Sequence, residues 1–141
     1  MELKSPKEIQ VEEKITALVT KIVDEQTFDD DLPLRLWNYL QSNQEIAAIQ
    51  DYANIVSIGR LGLNDHGPVH MKIVCRNALK MLNIIHAVGV KTSLEKENVG
   101  SFADSVAAVE CEVVRAVVRS YVEELAVLFL REVLRKVEVQ R

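Results

Sequence analysis

Apolar residues recur at intervals of three and four along most of this chain, the spacing that turns one side of a helix toward a core. Val11, Ile15, Leu18, Val19, Ile22 and Val23 share such a face and predict a helix over 6–25. Ser5-Pro6-Lys7-Glu8 opens it as a capping box, with proline at the first helical position. The acidic run Asp29-Asp30-Asp31 reads as a solvated turn, with Asp31 the N-cap of a second helix over 32–42 that buries Leu36, Trp37 and Leu40. A third helix is expected over 45–57, with Ile46, Ile49, Ala53 and Val56 in register, broken by Gly59-Arg60-Leu61-Gly62. A fourth begins at Pro68 and runs to Val88, before Gly89. Hydropathy gives it a wet face of Lys72, Arg76, Lys80 and Asn83, and a buried stripe of Val74, Met81, Ile85 and Val88 headed by His70.

Ser101 and Asp104 cap the last third, where Val106, Val109, Val113, Val117, Tyr121, Leu125 and Leu128 keep helical spacing. Glu112, Arg115, Arg119 and Glu123 hold the opposite side, which argues for helix despite the many β-branched residues. One helix over 101–139 would be about 55 Å long at 1.5 Å per residue. A globule of this size is only roughly 35–40 Å across. The helix therefore breaks, or its end projects onto a partner. The run Leu125-Ala126-Val127-Leu128-Phe129-Leu130 is apolar on every side, which predicts a homodimer through this C-terminal helix. The expected fold is all-α, about five helices in a single domain over 1–141: N-terminal helices over 1–60, a central segment over 61–109, and the C-terminal helix over 110–141.

Composition agrees with a packed helical domain: 48% hydrophobic and 27% charged, with five glycines and three prolines. The net charge of −4 and a pI near 5.4 give no general attraction to phosphate backbones, so no nucleic-acid partner is expected. No apolar run reaches the ~18 residues of a membrane span, and no signal peptide is evident, so the expected address is the cytoplasm without membrane contact. Cys75 and Cys111 form no C-x-x-C pair and read as small core residues of a reducing compartment.

The candidate chemistry lies at the turn that opens the fourth helix. Asp65, His66 and His70 bring metal-ligating side chains together there, including two of the three histidines. Neutral imidazole is the ligand form, and a histidine heading an apolar stripe is partly dry. The alternative is a capping or core histidine bonded to a carbonyl. The pair is not a zinc-protease signature, because His66 lies outside the helix and the glutamate of H-E-x-x-H is missing. His86, with no acidic neighbour in sequence, reads as a boundary residue.

Residues 55–109 resemble the opening of the HD superfamily of metal-dependent phosphohydrolases, in particular archaeal members with an N-D-H-G-x-x-H-x-x-x-V motif. Asn64, Asp65, His66, Gly67, His70 and Val74 carry the resemblance, and Asn77-Ala78-Leu79-Lys80 continues it. The resemblance implies that His70 matches the first metal ligand. It also implies one or two divalent metal ions as cofactors, and a phosphorylated small molecule as substrate. In that family a segment like 103–109 leads into a His-Asp dyad, and a later aspartate follows. Here it leads into Glu110-Cys111-Glu112, with no histidine after His86 and no aspartate after Asp104. Glu110 and Glu112 diverge by about 200° on a helix and read as a solvated pair. Two function classes stay open. One is a divergent or truncated HD-like protein without phosphohydrolase activity as an isolated chain, acting as a helical oligomerising or regulatory module. The other is a metal-dependent phosphohydrolase whose site is completed atypically.

Overall fold

The computed structural model describes residues 4–26, 31–61 and 67–111, and within α3 the side chains of 53, 56, 57, 60 and 61 lie outside the description. The described residues are all helical apart from turns and short connections: α1 Pro6–Glu25, α2 Leu32–Ser42, α3 Gln44–Leu61, α4 Pro68–Ala87 and α5 Ser93–Lys96. A sixth run, α6, occupies 102–111. The expected C-terminal helix over 110–139, with Val113, Val117 and the run 125–130, lies beyond α6 and outside the described residues.

The core forms where α1 lies along α4, with α2 against α1 as well. Val11, Ile15, Val19 and Ile22 line the inner face of α1 and meet Trp37 of α2, Cys75 and Leu79 of α4, and Phe102 and Val106 of α6. Each large aliphatic side chain buried there contributes about 1.5–3 kcal/mol. Leu18, Leu36 and Leu40, expected in the core, are half-buried. The indole N–H of Trp37 donates to Thr16 Oγ1 at 2.9 Å, which satisfies the one polar atom the ring brings inside.

Local chemistry shapes the helix ends. Ser5 Oγ accepts from the Glu8 backbone N–H at 3.2 Å, as the capping reading predicts, but the Glu8 carboxylate turns inward to Lys72. Asp31 caps α2 by position alone, its carboxylate instead accepting from Arg35 Nε at 2.6 Å. α3 continues through Gly59 to Leu61 rather than breaking at the glycine, and its Ile49 is exposed rather than buried. α4 stops at Gly89, whose φ of 88° suits a residue without a Cβ; its N–H donates to the His86 carbonyl at 2.9 Å. Ser101 and Asp104 cap α6 reciprocally, at 3.2 and 2.7 Å. Those bonds from Ser101, the backbone N–H foremost, hold the Asp104 carboxyl below its ordinary range.

α4 departs most from its sequence reading. Its buried face is Met71, Lys72, Cys75 and Leu79. Val74, Met81, Ile85 and Val88, expected inside, are exposed. This helix is apolar on two sides, and the side that turns inward is the one where Lys72 meets two carboxylates of α1.

Candidate functional site: a charged cluster and the cavity beside Trp37

Positions 8 and 12 of α1 lie one turn apart on the face toward α4. Lys72 Nζ donates to Glu8 Oε1 at 2.5 Å and to Glu12 Oε1 at 2.6 Å. Lys4 Nζ reaches the same Glu12 oxygen at 2.7 Å and the Gln41 carbonyl at 2.6 Å. Two lysines thus balance two glutamates in a cluster that is nearly dry around Lys72, Glu8 and Glu12. Charges in such a setting persist because each has its partner.

Beside this cluster is a cavity of about 20 Å³, walled by Trp37, Gln50, Met71, Lys72, Cys75 and Glu110. Glu110 is 1% exposed, not solvated as its sequence context suggests, and neither carboxyl oxygen has a hydrogen-bond partner among the described residues. Burial pushes its pKa up to about 8, so the neutral acid dominates at neutral pH. Burial, and then the nearby Glu110, push the Cys75 thiol up to about 12. Cys75 is therefore an inert thiol here, because thiolate is the reactive form. Cys111, expected in the core, is exposed.

A second polar cluster joins the end of α4 to α5 and α6. His86 Nε2 lies 3.2 Å from Glu95 Oε1, so the histidine does have an acidic neighbour, nine residues on. Its ring stacks on Phe102 with centroids 3.6 Å apart and planes within 10°. Glu95 also closes a capping box with Thr92, at 2.8 and 3.3 Å, and Thr92 Oγ1 lies 2.7 Å from Ser105 Oγ. The Thr92 backbone N–H, followed by His86 and the Thr92 hydroxyl, lowers the Glu95 pKa.

The sequence-derived metal ligands are not brought into either cluster. His70 is exposed in the first turn of α4, and it does not wall the cavity. Asp65 and His66 lie outside the described residues. Among the described residues, no three of His, Cys, Asp and Glu assemble as a metal site. The described surroundings of His70 thus supply no ligand set for a divalent ion. Nor is any described helix long and apolar enough to cross a membrane.

Sequence reasoning missed Lys72, Gln50, Cys75 and Glu110 as a group. One signal was present: Glu8 and Glu12 stand one turn apart at the edge of an apolar stripe, a place where carboxylates need a cation.

The chain matches no family model and no solved structure. It is 42% identical over 74 residues to an uncharacterized protein of Methanocaldococcus jannaschii, MJ1020. The matched stretch is 52% of this chain and 29% of that protein, so the chain spans less than a third of the relative it matches.

Proposed function

We propose that this protein works as a helical association module, an HD-like opening without the dyad, whose α4 pairs with α4 of a second copy. The observation that carries this is a stripe on the outer face of α4. His70, Val74, Asn77, Met81, Ile84 and Val88 follow one another at intervals of four, three, four, three and four. That is the heptad seam two helices use to pack along their length. The exposure of its apolar members runs from 40% at Val74 to 76% at Val88. Val74 to Val88 covers about 21 Å at 1.5 Å per residue, four turns of contact. Monomers rarely leave so continuous an apolar stripe in water.

A second copy is the partner that fits. The stripe carries no Asp, Glu, Lys or Arg, so it selects no strongly charged partner, and a two-fold axis lays it against itself. Asn77 is its polar interruption, the residue type that fixes register in such seams. Small Ala78 and Ala87 beside it let two helices approach. The sequence reading placed self-association at 125–130, outside the described residues; the α4 seam meets the same requirement on described surface.

Sedimentation equilibrium at tens of micromolar tests the proposal. Wild type should sediment as a dimer and Met81→Glu/Ile84→Glu as a folded monomer. A wild type that stays monomeric overturns it. Metal-dependent turnover of an aryl phosphate, lost in His70→Ala, would favour the phosphohydrolase reading instead.

A further inference from the structure

We infer that the pocket under Trp37 binds a single water molecule that joins Glu110 to Gln50 and Lys72, and that loss of the Glu110 proton unlatches α6 from the core. The cavity of about 20 Å³ exceeds the roughly 10–15 Å³ that one water requires. Its walls are mostly apolar, but three polar side chains, Gln50, Lys72 and Glu110, reach it, within the two to four partners a water needs. Lys72 commits two of its three protons to Glu8 and Glu12, which leaves one N–H. Gln50, buried on α3, offers both a donor and an acceptor. The neutral Glu110 carboxyl offers one O–H and an acceptor oxygen, both without a protein partner. Trp37 does not compete, because its N–H is held by Thr16. One water accepting from Lys72 and from the Glu110 O–H, and donating to Gln50, gives the orphaned acid a partner for its proton.

The proton link follows from the groups around Glu110. From α4 it faces Lys72, already neutralised, and Cys75, protonated throughout the working range. Behind Lys72, α1 presents Glu8 and Glu12, and Lys4 completes their balance. The walls from α2 and α3, Trp37 and Gln50, carry no charge. Among the described residues, then, a Glu110 carboxylate would be a buried charge without a counter-ion.

With α6 undocked the carboxyl returns to its ordinary 4.5, against about 8 when docked. Between those values the open state sheds the proton that the closed state keeps. Opening is thus least favourable below about pH 4.5 and rises about tenfold per pH unit toward 8. Above about 8 both states are ionised and the rise ends.

The test reads Cys75 as it becomes accessible. In a Cys111→Ser chain, the rate of Cys75 modification by an aromatic disulfide is measured with Glu110 and with Glu110→Gln. Thiol ionisation in the open state affects both proteins equally, so their ratio isolates the carboxyl. The ratio should climb about tenfold per unit between about pH 5 and 8 and level off above. A ratio independent of pH overturns the latch. Hydrogen exchange of the α6 amides should show the same difference in slope, and Glu110→Leu, which carries no proton there, should behave as Glu110→Gln. Water-to-amide cross-relaxation at Gln50 should show a bound water; a dry pocket with Glu110 bonded directly to Gln50 overturns the water site.

Discussion

Removing the Lys72 ammonium leaves Glu8 and Glu12 buried, with Lys4 alone among the described residues to offset them. Lys72→Met should therefore destabilise the fold by about 3–5 kcal/mol, the usual cost of breaking a buried pair from one side. A urea unfolding midpoint measures it. Combining Lys72→Met with Glu8→Gln and Glu12→Gln should recover much of the loss, because the uncompensated charges go with the lysine. At the apolar contact beside it, Leu79→Ala should cost about 2–5 kcal/mol, since Leu79 is fully buried. Residue-scale reading of the sequence succeeded for Ile15, Ile22, Trp37 and Val106, where an apolar side chain stands on a one-sided stripe. It failed for Lys72 and Glu110. Charge alone assigns both to water, and only the geometry of α1, α4 and α6 supplies one with partners and encloses the other. The stripe that His70 heads faces outward rather than into the core, and Asp65 and His66, the other expected metal ligands, lie outside the described residues.

Among elements, α4 carries both the core and the proposed seam, and this explains why its inner side was misread. A helix apolar on two sides has no single direction for periodicity to point to. The helix itself, with Pro68 at its start and Gly89 at its end, was legible because caps depend on local backbone chemistry. The short α5 was not, because four residues are too few for a period to show. Its Thr92 does much for so small an element: it caps α5, receives the Glu95 carboxylate on its backbone N–H and contacts Ser105 of α6. Thr92→Ala should cost about 0.5–2 kcal/mol, read by thermal unfolding. The lowered Glu95 pKa gives that joint a pH dependence of opposite sign to the latch. Its stabilisation is present above the ordinary 4.5 and disappears as pH falls through the lowered value. A Glu95→Gln variant should lose this acid-side dependence while keeping that of Glu110.

For the molecule as a whole, self-association should make stability depend on concentration. Wild type should show a thermal midpoint that rises with protein concentration, because mass action favours the folded dimer. Met81→Glu/Ile84→Glu should show a midpoint that does not move, and a wild-type midpoint that is equally constant would count against the pairing. The all-helical class was legible from spacing over the described residues, whereas what the whole surface does was not. Periodicity reveals that a face is apolar, not which of two apolar faces meets its own chain and which meets another.

Trp37 is the chain's sole tryptophan, fully inside and in the wall of the pocket that Glu110 enters. The protein thus contains its own optical probe at that spot. Indole emission shifts to the red as polar molecules gain access to the ring, and a nearby acid gaining or losing charge alters its intensity. A fluorescence titration of the unlabelled chain would watch α6 loosen in real time, with no reagent added and no residue changed.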